Sequence, residues 1–407
     1  MKITFFTMRF PVSSETFVLN QVTYFIDQGY DVEVISVFPG DLTHRHGAFD
    51  RYNLAEKTHY LLPEDKSSGT DKLKQRLQIL LPKLLNPCTM RSLNVKRYGQ
   101  QSSKLLLPAI VVRNEKHFNA DLFLVHFGYA GVLANKLREL GVLHGRQATV
   151  FHSVDISRRH ILDEHKVDYL NLFSQTDLLL PISHRWENKL IAMGYLPEKI
   201  QVSRMGIEPE KFNFQPREGL HSPLRILSVA RLTEKKGLGV AVEACRYLKA
   251  LGASFEYTII GNGDMEETLR EAIRAADLED CISMVGFKPQ EEIKGYLHQT
   301  DIFLLPSLTA ADGDMEGIPV ALMEAMAVGL PVVSSEHSGL PELIEHNVSG
   351  WLAPEGDGRG LGELLLKLAN SEMDIQPVVA AARKKVETEF NQHIAWRELA
   401  TLLEEFA

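Results

Sequence analysis

The 407-residue sequence predicts an α/β fold built from two series of parallel βαβ units. Short β-branched and aliphatic runs recur along the whole length, near-continuously apolar as strands buried on both faces of a parallel sheet are. The stretches between them carry apolar residues at helical spacing. A Pro- and charge-rich stretch without periodicity, taken as a linker over 204–222, divides the strands into two sets, and gives units over 1–203 and 223–387.

In the first unit the strand runs are Lys2–Phe6, Asp31–Val37, Asp121–His126, Gln147–Phe151 and Asp177–Ile182. Ser14-Glu15-Thr16 opens a helix holding Phe17, Val22, Phe25 and Ile26, and Gly29 stops it. The second unit has strands at Leu224–Ala230, Phe255–Ile260, Cys281–Val285, Asp301–Leu305 and Pro331–Ser334, with helices over Ala241–Leu251 and Met265–Ala276. A last helical stretch, Ala380–Phe406, mixes Phe390, Ile394, Trp396, Leu399 and Leu403 with charges, and the sequence leaves open which unit it covers. Ligands are expected at the carboxyl ends of the strands.

Composition narrows the function. Hydrophobic residues at 44% and charged residues at 24% exclude a disordered chain and a coiled coil. A net charge of −9 argues against a nucleic-acid partner. The charge is uneven, since Lys72–Lys104 holds eight basic residues and no acid. The three cysteines, Cys88, Cys245 and Cys281, show no metal-ligand spacing and suit a reducing compartment. No uncharged apolar run approaches the ~18 residues of a membrane span, so a cytoplasmic protein is expected.

Four stretches carry chemistry. Asp312–Ala327 runs from the end of a strand into a helix, with Pro319 at its first turn, Glu316 just before it and Glu324 inside an otherwise apolar Val320–Val328. A helix N-terminus there offers free N–H groups to a phosphate or sugar oxygen. Glu324 accepts from vicinal hydroxyls, pairs with a buried Arg or caps a neighbouring turn. Arg231 and Lys235-Lys236-Gly237 follow a strand and suit a diphosphate, or form a solvated turn. Gly261-Asn262-Gly263 is a tight turn lacking the third glycine of a dinucleotide fingerprint. His152 follows the Gln147–Phe151 strand, where it can bond a ligand hydroxyl. Asp312-Gly313-Asp314 also invites a reading as a metal-binding pair.

The ordered set of Glu316 and Glu324 in an E-x7-E pattern, Arg231 with Lys236-Gly237, Gly261-Asn262-Gly263, Asp301–Ser307, Gly339-Leu340-Pro341-Glu342 and His152 resembles family 4 of the retaining glycosyltransferases. Phe10–Phe17, His126-Phe127-Gly128 and Asp312–Gly317 look like its enterobacterial exopolysaccharide branch, the colanic acid and amylovoran type. The resemblance implies the GT-B fold: two Rossmann-like, doubly wound domains facing each other across a cleft. A C-terminal helix over about 388–407 is then free to pack back on the first domain. It implies that Arg231 and Lys236 hold the donor's diphosphate, that Glu324 binds the ribose, and that Glu316 contacts the donor sugar. Gly261, Gly263, Gly317 and Ile318 would lie close to the donor, and His152 would face its sugar across the cleft. Neither glutamate is expected to be a nucleophile. Many members have a glycine pair in the first loop, which here holds Phe10–Glu15; Ser13, Ser14 and Glu15 stand as acceptor candidates.

No cofactor and no metal are expected. The partners implied are a nucleotide sugar, favoured as UDP-linked by family usage, and a polyisoprenoid-linked oligosaccharide. The basic Lys72–Lys104 stretch could dock on the inner face of the cytoplasmic membrane, although Pro82 and Pro87 break any long amphipathic helix. A nucleotide-sugar epimerase of the same fold, or a non-catalytic donor-binding subunit, are the competing readings.

Overall fold

Among the described residues, twelve strands form two six-stranded sheets in which every pairing is parallel. The computed structural model describes residues 1–13, 15–43, 47–65, 68–114 and 117–407. The first sheet comprises β1 (Lys2–Phe10), β2 (Asp31–Pro39), β3 (Thr58–Tyr60), β4 (Phe118–His126), β5 (Leu143–Phe151) and β6 (Leu178–Pro181), in the order β3-β2-β1-β4-β5-β6. The second comprises β7 (Leu224–Val229), β8 (Phe255–Ile260), β9 (Ile282–Met284), β10 (Ile302–Leu305), β11 (Val332–Ser335) and β12 (Trp351–Ala353), in the order β12-β11-β10-β7-β8-β9. Read from the other edge, the second order repeats the first. Both are the doubly wound order, whose crevice opens where the winding reverses, between β1 and β4 and between β7 and β10.

Three strands show how burial shapes these sequences. In β1, Ile3 and Phe5 enter the layer that includes Phe25 and Leu172, while Phe6 enters the opposite layer with Ile110 and Leu133. β7 and β10 bury Ile226, Leu227, Phe303 and Leu304 in a single core. The two short edge strands β3 and β12 have no counterpart among the expected runs. At three residues each they are too brief to show a pattern of their own.

Residues 204–222 lie against the second domain. Phe212 is buried in its core, the Gln215 N–H donates to the Val328 carbonyl at 2.9 Å, and the Arg217 guanidinium donates to the carbonyls of Thr300 and Leu297 at 2.7 Å each. Ile207 forms a bridge with Asn391, so the chain's outward and return crossings run side by side. A side chain on Gly206 would meet the Phe390 carbonyl oxygen at 2.3 Å, so this close passage requires glycine. Helix Gln376–Glu389 packs under the second domain through Val378, Ala382 and Val386. Helix Gln392–Phe406 then covers the first, with Trp396 against Tyr24 at 5.2 Å and Leu399, Ala400 and Leu403 in its core.

The β3–β4 connection is a lobe of helices: Gly69–Leu80, Pro87–Ser92, Val95–Tyr98, Gln100–Ser103 and Leu106–Arg113. The first ends just before Pro82 and the second begins at Pro87, as two prolines that cannot sit inside a helix require.

The loops after β7 and β8 interlock. The Leu232 N–H donates to the Asn262 carbonyl at 2.8 Å. A methyl on Gly261, whose φ is +140°, would stand 1.8 Å from the Ala230 carbonyl oxygen, and one on Gly263 2.5 Å from that of Leu232. The expected outcome for Gly261→Ala is a loss of roughly 2 kcal/mol in stability. Urea denaturation measures it, and an unchanged midpoint would contradict the packing described.

Candidate active site

The two reversal points face each other across a cleft of about 810 Å³, lined by His126, His152 and Phe17 on one side and by Gln290, Lys294 and Glu324 on the other. On the second domain the site grows from the loops after β7 and β10. Gly237, at φ +65°, begins helix Leu238–Ala250, and a side chain on it would strike the Pro306 carbonyl oxygen at 1.8 Å. The two loops are therefore in backbone contact. Lys236 reaches Glu316 across that contact, with Nζ 2.5 Å from Oε2. Burial disfavours the Glu316 carboxylate, but the Lys236 and Lys235 cations outweigh it and hold the group below the usual range. Glu316 is thus an anion in a buried place. Its own N–H donates to His337 Nε2 at 3.2 Å, and His337 Nδ1 donates to Glu355 at 2.8 Å. This relay fixes the imidazole tautomer and the loop together.

Eight residues on, Glu324 sits in helix Val320–Val328 and accepts from the Gln290 amide at 3.0 Å. Burial raises its carboxyl to about 7, opposed by the Gln290 bond and by Lys294. Among the described residues no buried cation neutralises it at contact distance, so the reading of Glu324 as paired with a buried Arg does not hold there. Arg231 is exposed at the end of β7, with no side-chain partner among the described residues. The hydroxyls of Thr233, Ser307 and Ser338, in the loops after β7, β10 and β11, are buried without a hydrogen-bond partner there. Buried hydroxyls in these three loops suit a polar ligand.

On the first domain, His152 lies just beyond β5. Its N–H donates to Asp155 Oδ2 at 3.3 Å, and the Gly128 N–H donates to the same oxygen at 2.7 Å. Asp155 therefore ties the loop after β4 to the loop after β5. Burial lifts its carboxyl to about 7 against those N–H groups. His152 packs against Phe17 and Phe127, with ring centres at 4.9 and 4.5 Å, and burial holds it well below the usual histidine range. Gly317 brings the other domain close: a methyl there would be 3.0 Å from Ile182 and 3.8 Å from Ser153. Ile318 packs beside Gly339, whose added methyl would lie 3.1 Å from it.

Residues 210–385 match the family described as "Glycosyl transferases group 1". The amylovoran biosynthesis glycosyltransferase AmsK of Erwinia amylovora is 74% identical over 407 residues, 100% of each chain. The chain belongs to the group 1 glycosyltransferases. The putative colanic acid biosynthesis glycosyltransferase WcaL of Escherichia coli K12 is 52% identical over 406 residues, 99% of this chain and 100% of the relative. Among solved structures, HepE of Anabaena in complex with UDP is similar with a TM-score of 0.73 at 16% identity, over 100% of both chains. The glycosyltransferase thus has the GT-B fold that its motifs imply.

The sequence-derived candidates divide accordingly. Lys236 and Glu316 are in contact, and Glu324 and His152 line one cleft. Gly261 and Gly263 act through backbone packing beneath Arg231. Ser13 is exposed, and its hydroxyl reaches Asp41 only at 3.5 Å. Ser14 lies outside the described residues. Glu15 precedes helix Thr16–Asp27, and burial raises its carboxyl to about 7. Reasoning from the sequence assigned no role to Asp155, three residues past His152, and missed His337, Glu355 and Gln290, which stand far from the motifs they serve.

The acidic loop of this glycosyltransferase is a bridge between domains. Asp314 takes Lys235 at 3.2 Å from its own domain and Arg158 at 3.0 Å from the other, and Arg158 also meets Asp312 at 3.3 Å. The Met315 N–H donates to Ser157 at 3.1 Å. Both carboxylates are matched by cations of the chain. Glu342 makes a second clasp, accepting the N–H groups of His184 and Arg185 at 3.1 and 2.9 Å and pairing with Arg204 at 3.4 Å. Asp314→Ala strands the buried Lys235 cation, so a loss of about 3 kcal/mol is expected. Thermal and urea unfolding measure it, and added Mn²⁺ should restore nothing.

Proposed function

We propose that this glycosyltransferase moves a hexose or hexuronic acid, with retention of configuration, from a UDP-linked donor to a lipid-linked oligosaccharide in exopolysaccharide biosynthesis. The observation that carries the reading is the pairing of Lys236 with Glu316 beside exposed Arg231, with Glu324 and His152 on opposite walls of one cleft. HepE, which shares the fold, binds UDP and UDP-glucose, and AmsK and WcaL are named for amylovoran and colanic acid.

Each group then has a task. Arg231, Lys236 and the N-terminus of helix Leu238–Ala250 offset the charge that grows on the departing diphosphate. Glu324 accepts from the ribose hydroxyls. Neutral His152 bonds a hydroxyl of the donor sugar. The bond from the anomeric carbon to the phosphate oxygen breaks as the acceptor hydroxyl oxygen bonds to that carbon from the same face. The acceptor proton passes to the departing phosphate oxygen. Glu316, held as an anion by Lys236, orients the sugar and is not the nucleophile. No metal is needed, because Lys236 and Arg231 supply the positive charge.

Binding of UDP, GDP and ADP in EDTA tests the site. UDP is expected to bind without metal, at least tenfold more weakly in Glu324→Ala; binding that appears only with Mn²⁺ would overturn the assignment. Proton linkage gives an independent check. With the free Glu324 carboxyl at about 7, hydroxyls donating to it favour the anion. UDP binding should therefore release a proton near neutral pH and weaken as pH falls below 7. Calorimetry in two buffers of different ionisation enthalpy reads that release, and Glu324→Gln should abolish it.

The same reading places the protein at a membrane surface, where a lipid-linked acceptor resides. No helix among the described residues is long and apolar enough to cross one. On the β3–β4 lobe, Leu81, Leu84, Met90 and Val95 are exposed and Leu85 is 86% exposed, interleaved with Lys83, Arg91 and Lys96. Among the described residues, Lys72 and Arg76 pair with Asp65, Arg97 with Glu139 and Lys104 with Glu164, all acids outside the run. Apolar insertion therefore matters more than charge alone. Vesicles containing anionic phosphatidylglycerol should pellet the wild type, and the double variant Leu81→Asp, Leu85→Asp several-fold less. Equal pelleting would remove the lobe from the membrane.

A further inference from the structure

His152 has a buried titratable neighbour, His126, to which no task is assigned above. His126, the last residue of β4, and His152, just past β5, come from neighbouring strands of the first sheet. His126 Nδ1 lies 3.2 Å from His152 Nε2, and both rings are buried. We propose that His126 is a positioning residue that fixes the tautomer of His152, so that His152 presents an Nδ1–H donor to the ligand in the cleft. The proposal rests on the reading of His152 as facing the donor sugar.

The argument is one of proton accounting. His126 stacks on Phe5, with ring centres 6.0 Å apart and planes at 9°, and lies 6.0 Å from the Phe17 ring. In such surroundings neither imidazole carries charge, and burial holds both well under the ordinary histidine range. Two facing lone pairs at this distance would repel, and two facing N–H groups would clash, so a single proton lies between the rings. If it belonged to His152, His126 would carry its own proton on Nε2. That nitrogen is buried with no partner among the described residues. An orphaned N–H there costs more than an unused lone pair, because buried donors without acceptors are the rarer defect. The proton therefore belongs to His126 Nδ1, and His126 donates to His152 Nε2.

His152 then has one remaining proton, on Nδ1. Its Nε2 lone pair is occupied and cannot act as a base. Toward a sugar, His152 is a hydrogen-bond donor only, matched to a hydroxyl or ring oxygen that accepts. A substrate group that must itself donate finds no acceptor on this ring. The selectivity of the subsite for what the sugar offers is thus set by a residue behind the one that touches it.

Long-range ¹H–¹⁵N correlation spectra of the ¹⁵N-histidine-labelled full chain distinguish protonated from bare ring nitrogens, with His152 assigned by its loss in His152→Phe. In the wild type at neutral pH, His152 should show a protonated Nδ1 and a bare Nε2. His126→Phe keeps the ring stack on Phe5 but removes the donor, and His152 should shift toward the Nε2–H form. His126→Asn places an amide N–H where Nδ1–H stood and should restore the wild-type pattern. UDP affinity should be unchanged in both variants, while transfer falls at least tenfold in the Phe variant and recovers in the Asn variant. A protonated Nε2 in the wild type, or a spectrum indifferent to His126→Phe, would overturn the proposal. Failure of the wild type to bind any nucleotide would instead sink the functional reading and leave the tautomer result standing.

Discussion

Asp314 is where the two domains are fastened, and the geometry of the cleft depends on it. Its carboxylate stands between Lys235 of the second domain and Arg158 of the first, and Lys235 and Asp314 are both buried. A lysine ammonium out of water needs an anion, so Lys235 pins the acidic loop to the turn after β7. Two residues further along, the same loop delivers Glu316 to Lys236. The loop after β10 is therefore held by adjacent lysines at two points, one that reaches across to the other domain and one that faces the ligand. The spacing of Lys235-Lys236 against Asp314 and Glu316 gives structural cohesion and site electrostatics from a single pair of neighbours.

The two sheets share one winding order, and this explains why the site is divided as it is. Each presents loops at its own reversal point, so each domain contributes a half-site. The second domain supplies charge, through Arg231, Lys236, Glu316 and Glu324. The first supplies a neutral, aromatic wall, with His126 and His152 among Phe5, Phe17 and Phe127.

How much of this was legible in the sequence follows from how local each signal is. Phe255–Ile260 reads as a strand with its observed ends because a fully buried strand is apolar over its whole length. Glu316 and Glu324 were legible because one loop and one helix carry both. The three-residue strands β3 and β12 were not, since their pairing partners define them more than their residues do. Asp312 and Asp314 looked like a metal pair because their cation, Arg158, lies 156 residues from Asp314 along the chain. Asp155, His337 and Glu355 carried no local pattern; each acts by receiving or giving a hydrogen bond across a crevice that only the folded chain creates. His126 was visible in its motif, but its link to His152 needed the register of β4 on β5.

The side-by-side crossings at Ile207 and Asn391 have a consequence for how such an enzyme can be recombined. The chain leaves the first domain and comes back to it through adjacent segments, and helix Gln392–Phe406 completes the first core on its return. Topologically the second domain is an insert with neighbouring ends, like a cartridge held in a frame. A cut at the interdomain stretch alone would strip Leu399, Ala400 and Leu403 from the core they close. Exchange of the whole cartridge, with both joints taken at the two crossings, keeps Leu399, Ala400 and Leu403 in the core of the frame. Evolution can on this architecture graft one second domain onto another first domain by two crossovers, provided the final helix stays with the beginning of the chain.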